Sequence, residues 1–266
     1  MDRRAAIETA INNKWALVCG GSQGIGKATA SALAREGANL ILLARSEGKL
    51  EQLADHLRPH TKTKIVYQDL SDTTGLKAKI KSILAEIGPI EICINNAGGP
   101  KAGPLLDAAP EDFMQAFQTH VVAAQTLAQL LVPGMKEKNY GRIINIISTS
   151  VKIPIPNLGV SNTIRGAMAS WAKTLANEVG EFGITVNNVL PGFTATERLE
   201  ALKEGAAKRL NKTPSDIEQM WLNTIPAKRF AKPDETAEAI TFLASPAASY
   251  INGINLPVDG GRTGSL

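Results

Sequence analysis

Short apolar runs alternate along the chain with longer stretches in which apolar residues recur every three or four positions. Trp15 to Cys19 (W-A-L-V-C) is the first run, followed by Asn39 to Leu43, Ile65 to Tyr67 and Ile90 to Ile94. Arg142 to Ile147, Ile184 to Leu190 and the short Ile254 to Val258 complete a set of seven. Runs of this length, bounded by Gly, Pro, Asn, Asp or Ser, predict buried strands. Between them, Glu47–Leu57, Thr73–Ile87, Glu111–Lys138, Ser161–Phe182 and Pro233–Leu243 carry helical spacing. A further helix follows the first run, with Ala28, Ala30, Leu33 and Ala34 on its packed side. Strand and helix alternate throughout, which predicts an α/β fold: a doubly wound parallel sheet of seven strands with helices on both faces. No repeat or linker-like tract divides the chain, so residues 1–266 are expected to form one domain.

Composition narrows the classes. Hydrophobic residues make up 44% of the 266, enough for a sizeable core. The formal net charge is +4, with Lys and Arg scattered, so no nucleic-acid partner is expected. Cys19 and Cys93 both lie in apolar runs, outside any C-x-x-C pair or His cluster. They read as buried free thiols, with no metal site. Met1 to Ala10 lacks the apolar core of a signal peptide, and no apolar run is long enough to span a bilayer. A cytoplasmic protein without a membrane partner is expected.

The richest stretch is Lys14 to Lys27, K-W-A-L-V-C-G-G-S-Q-G-I-G-K. A strand runs into glycines, and a helix starts at once. Glycine tolerates positive φ and lets a ligand phosphate approach the backbone. The helix then aims unpaired N–H groups at that phosphate. The spacing Gly20, Gly24, Gly26 is G-x-x-x-G-x-G, and it predicts a dinucleotide site after the first strand. An ordinary strand–helix turn is the competing reading.

In open α/β sheets, ligands bind beyond the carboxyl ends of the strands. The glycines, Arg45, Asp69, Asn95, Ser148 and Pro191 all stand at such ends. The second strand ends in Ala44-Arg45-Ser46, which offers a guanidinium and a hydroxyl but no carboxylate. That chemistry suits the anionic 2′-phosphate of NADP(H) over the bare ribose of NAD. A solvated surface arginine is the alternative.

Together these residues resemble the short-chain dehydrogenase/reductase family, in its 3-oxoacyl-carrier-protein reductase type. The likeness also rests on N-N-A-G at Asn95 to Gly98, on R-I-I-N-I-I-S ending at Ser148, and on G-I-T-V-N-N-V-L-P-G at Gly183 to Gly192. Phe242 to Gly253 (F-L-A-S-P-A-A-S-Y-I-N-G) and V-D-G-G at Val258 to Gly261 extend it over almost the whole chain. The resemblance implies a Rossmann-type sheet, a nicotinamide cofactor and a homo-oligomer, tetramer or dimer. It implies that Gly20, Ser22, Gly24, Ile25 and Gly26 hold the pyrophosphate, and that Asp69 and Leu70 flank the adenine. Asn95 and Gly98 then lie beside the cofactor, with Pro191, Gly192 and Thr196 on the nicotinamide and phosphate side. The family's usual Thr before the first glycine is Cys19 here.

The catalytic positions depart from the family. Its pattern is a Ser, a Tyr thirteen residues on, a Lys four further, and an Asn on an earlier helix. Ser148 is in place, but Ser161 stands for the Tyr, Arg165 for the Lys and His120 for the Asn. A tyrosine of pKa about 10 can be tuned toward neutrality, whereas a serine hydroxyl is a far weaker acid and arginine keeps its proton. Ser161 and Arg165 therefore cannot repeat the Tyr–Lys chemistry. His120 titrates near neutral pH when unperturbed, so one hypothesis makes it the proton source, relayed by water or Ser161, while Ser148 and Arg165 polarise a carbonyl. The favoured reading is a satisfied helix histidine. Lys152 is a weaker candidate for the same cleft. A Ser–His hydrolase lacks its nucleophile-elbow motif.

Residues 194–230, rich in Lys, Glu and Ala, read as a substrate-covering lid. Two functions stay open: an NADP(H)-dependent oxidoreductase on a carbonyl or alcohol, and a dinucleotide-binding protein without hydride transfer.

Overall fold

The computed structural model describes residues 11–265. The reading of Met1 to Ala10 lies outside them. Seven parallel strands run in the order β3-β2-β1-β4-β5-β6-β7. They are β1 (Trp15–Cys19), β2 (Asn39–Ala44), β3 (Thr63–Tyr67), β4 (Ile92–Asn95), β5 (Gly141–Ile146), β6 (Ile184–Pro191) and β7 (Asn255–Val258). The order reverses between β1 and β4, which opens a crevice at their carboxyl ends.

Each central strand is buried on both faces, so alternate residues feed two separate cores. Ala16 and Val18 of β1 join Leu40, Leu42, Ile92 and Ile94 on one side. Helices α1 (Gly24–Arg35), α2 (Glu47–Leu57) and α9 (Pro233–Ala244) cover that side. Leu17 and Cys19 join Ile41, Leu43 and Cys93 on the other. There α3 (Thr73–Ile87), α5 (Ala123–Glu137) and α6 (Gly159–Val179) close the layer. Cys19 and Cys93 are buried and free, and burial pushes the Cys19 thiol up to about 12. No helix of the described residues is long and apolar enough to cross a membrane.

One expected element is divided. Residues 111–138 carry a single helical pattern, yet the structure has α4 (Pro110–Phe117), a π-helical turn at Gln118–Val122, and then α5. The wider turn carries His120 and Val121, both buried. The segment after β6 folds into α7 (Glu197–Leu210) and α8 (Pro214–Asn223). Ala206, Ala207 and Ile217 pack between those two helices, while Leu210 and Met220 stay exposed. The Trp221 ring stacks on Phe193 with centroids 4.7 Å apart.

A row of asparagines crosses half the sheet. Asn95, Asn145, Asn188 and Asn255 are register partners on four neighbouring strands. Asn95 Nδ2 donates to Asn145 Oδ1, Asn145 Nδ2 to Asn188 Oδ1, and Asn188 Nδ2 to Asn255 Oδ1, each at 2.8 Å. Buried amides demand partners, so the row ties these strands in one register. Asn145→Ala would orphan a donor on Asn95 and an acceptor on Asn188. Denaturant unfolding should show a loss of about 2 kcal/mol or more. Asn255→Ala, at the half-buried end of the row, should lose less.

Candidate functional site

The carboxyl edge of the sheet is built around the turn after β1. Gly20 and Gly24 hold φ of 60° and 53°. A Cβ on Gly20 would lie 2.6 Å from Asn96 Nδ2, and one on Gly26 only 2.1 Å from the Gly20 carbonyl oxygen. Side chains there would force α1 off the turn. Asn96 Nδ2 donates to that same carbonyl at 3.3 Å. Gln23, the residue before α1, provides no side-chain cap. The first-turn N–H groups and the positive helix end therefore face the crevice, an arrangement that suits a phosphate. Ser22 is half-buried in the turn, and Ile25 packs onto the core beneath it.

At the end of β2, Arg45 is largely exposed, and its Nη1 lies 3.4 Å from Asp69 Oδ2. Ser46 begins α2 without making a cap hydrogen bond. The Ser71 backbone N–H chiefly holds the Asp69 carboxyl below its usual range, with Arg45 a smaller contributor. Lys49, which sequence reasoning missed, reaches Gln23 Oε1 at 2.9 Å and Glu197 Oε1 at 3.0 Å. Its place one helical turn after Arg45 was the available signal. Two cations thus stand at the β2 end of the crevice.

On the opposite wall, Thr196 caps α7, and its methyl group lies 3.2 Å from a Cβ built on Gly24. Pro191 ends β6. A Cβ on Gly192 would come within 2.7 Å of the Asp259 Cα, so only glycine fits where those segments cross. Asn95 stands at the end of β4 with its amide engaged in the sheet row.

The expected catalytic residues lie together only in part. Ser148 follows β5, and its Oγ accepts the Ser150 N–H at 3.1 Å. Ser161 and Arg165 share a face of α6, one turn apart. Arg165 Nη1 lies 3.4 Å from His120 Nδ1 and donates to the Ile146 carbonyl at 3.2 Å. His120 also hydrogen-bonds the Gly98 backbone. Leu70, Asn95, His120 and Arg165 help line a cavity of about 20 Å³. A space of that size holds about one water. No hydrogen bond joins His120 to Ser148 or Ser161 among the described residues, so a Ser–His nucleophile is not assembled. Nor does a tyrosine substitute: Tyr67 donates to Glu51, and Tyr140 donates to the Ala244 carbonyl at 2.6 Å.

His120 sits as a buried histidine with partners on both ring nitrogens. Burial first, and then the neighbouring Arg165 charge, push its pKa down to about 3. A neutral imidazole that donates to Gly98 and accepts from Arg165 satisfies both neighbours. In that state the imidazole meets the guanidinium with an acceptor nitrogen. Arg165 itself is lowered by burial, and by Arg198, to about 10, and so stays charged at neutral pH. Arg198, on the first turn of α7, donates to the Pro100 carbonyl at 2.8 Å. Nothing in its polar sequence surroundings marked it.

The family model described as enoyl-(acyl carrier protein) reductase matches residues 20–263. The chain belongs to the short-chain dehydrogenase/reductase family. The 3-oxoacyl-[acyl-carrier-protein] reductase of Vibrio harveyi is 34% identical, over 94% of this chain and 98% of its own length. An uncharacterised oxidoreductase of Bacillus subtilis, YvrD, is 33% identical over 98% of this chain and 100% of its own. The solved L-sorbose reductase of Gluconobacter frateurii, complexed with NADPH and L-sorbose, superposes with a TM-score of 0.92. It is 32% identical and covers 97% of this chain and 100% of that one.

The buried His120 makes a pH prediction. Its folded pKa lies below its unfolded value of about 6.5, so the unfolded chain binds the extra proton. The stability it contributes is complete above pH 6.5 or so and drains away as pH falls toward about 3. Unfolding of His120→Asn should therefore depend less on pH than wild type between roughly pH 6.5 and 4. Nitrogen chemical shifts of His120 should stay those of a neutral ring from pH 5 to 8. A midpoint near neutrality would contradict the site described.

Proposed function

We propose that this chain is an NADP(H)-dependent oxidoreductase that interconverts a carbonyl and an alcohol through an atypical site. The observation that carries it is the cradle: bare glycines, the uncapped start of α1, and Arg45 with Lys49 at one edge. The NADPH held by the similar L-sorbose reductase supports the same reading. Gly20, Ser22, Gly24, Ile25 and Gly26 would take the pyrophosphate, and Arg45 and Ser46 the additional phosphate. Asp69 and Leu70 would flank the adenine. Asn95, Gly98, Pro191, Gly192 and Thr196 would border the nicotinamide half. When bound, the nicotinamide would exchange a hydride with the substrate carbon.

The remaining chemistry falls to the protein. Ser148 and Arg165 orient and polarise the substrate oxygen, with the charged guanidinium stabilising developing negative charge. Ser161 stands in the tyrosine position of the family and relays a proton from water without being its source. Neutral His120 holds Arg165 in place. Residues 194–230 act as the lid of this single domain. Exposed Leu106, Met114 and Phe117 support assembly with further copies of the chain.

A second reading is a dinucleotide-binding protein that transfers no hydride. It is favoured by the absence, among the four candidate catalytic residues, of a group poised to titrate near neutral pH.

NADPH fluorescence titration and a carbonyl panel followed by NADPH absorbance separate the two. The oxidoreductase should bind NADPH and turn over at least one carbonyl; tight binding with no turnover selects the second reading. Arg45→Ala should weaken NADPH by about 10-fold while leaving NADH nearly unchanged, since only the former carries the extra phosphate. Equal losses for both nucleotides would remove Arg45 from that role.

A further inference from the structure

We propose that Arg165 and Arg198 together form a subsite for the carboxylate of an anionic substrate. This rests on the oxidoreductase reading and names its substrate class. Both guanidinium tips converge beside Gly99: a Cβ built there would lie 3.4 Å from Arg198 Nη2 and 3.9 Å from Arg165 Nη2. Three separate segments meet at that point, namely the loop after β4, helix α6 and the start of α7. Arg165 is only 7% exposed. Among the described residues, no carboxylate stands within ion-pair distance of either guanidinium. The carboxylates on neighbouring elements are engaged elsewhere, Glu197 with Lys49 and Asp69 with Arg45.

Arg142 shows what a structural buried arginine looks like in this fold. It is 1% exposed. Its Nη1 donates to the Gly141 and Gly183 carbonyls at 2.8 and 3.1 Å, and its Nε to Ser245 at 3.3 Å. The guanidinium also lies over the Tyr140 ring, 4.1 Å from its centroid. Arg165 is used differently. Its Nη1 meets the Ile146 carbonyl and His120, while its Nη2 extends toward Gly99 and a second cation. Two like charges aimed at one point repel, and burial of one weakens the screening by water. A planar carboxylate between them would neutralise both and accept from both forks. An uncharged acyl chain offers neither.

A phosphate of the dinucleotide could supply the same anionic chemistry, so the test separates the sources. Calorimetry would titrate wild type and Arg198→Leu with acetoacetate and 2-oxobutyrate, and with their ethyl esters. Each titration is run with and without saturating NADP⁺. NADPH is titrated in parallel by fluorescence. At least one oxo acid should bind wild type about 10-fold tighter than its ester. Arg198→Leu should lose about 10-fold on that acid, with the ester and NADPH nearly unchanged. Arg198→Lys, which keeps the charge and loses the fork, should recover part of the loss. Equal binding of acid and ester, or binding of neither acid, overturns the proposal. So does a loss in Arg198→Leu that falls on NADPH instead of the acid. Failure of wild type to bind NADPH would remove the oxidoreductase reading, whereas the titrations without nucleotide judge the anion subsite separately.

Discussion

The contact of α1 with its own turn sets the rest of the edge. With no Cβ on Gly26, the helix start closes against the Gly20 carbonyl, and Asn96, just past the end of β4, donates to that carbonyl. This closeness points the positive end of α1 into the crevice between β1 and β4. It also places the loop that follows Asn96. Gly98 and Gly99 lie there, and so does the Pro100 carbonyl that receives Arg198. The tight glycine turn and the cationic cleft are thus two consequences of one backbone approach.

The charges divide by how they are solvated. Arg45 and Lys49 are exposed cations whose ion pairs with Asp69 and Glu197 are screened by water, so those pairs can give way to a phosphate at little cost. Arg165 is buried, and its environment is fixed by His120 and Ile146. Burial keeps the imidazole neutral, which suits a cationic neighbour better than an imidazolium would. His120 and Arg165 are therefore physically linked: a buried guanidinium accepts a neutral acceptor beside it.

Family membership explains the frame without deciding the chemistry, because function lives in the site. The sheet order, the asparagine row and the glycine turn need only burial and hydrogen bonding to persist. Proton transfer needs a group whose pKa matches the operating pH. The two requirements fall on different residues, so a scaffold can stay intact while its proton source changes.

Strand order along the chain, the turn after β1, the buried thiols and the cationic end of β2 were legible in the sequence. Each depends on residues close together in the chain: an apolar run, glycine spacing, an arginine where a carboxylate is absent. The single helix expected over residues 111–138 was misread, since a π-helical turn costs little in pattern and leaves the apolar spacing on either side undisturbed. The state of His120 was out of reach for a different reason. Its neighbour Arg165 lies 45 residues away, and its protonation follows from how much water the fold removes. The meeting of Arg165 and Arg198 at Gly99 likewise exists only once three distant segments pack together. Local patterns dictated the elements; burial and long-range contact, which no local pattern encodes, decided the electrostatics of the site.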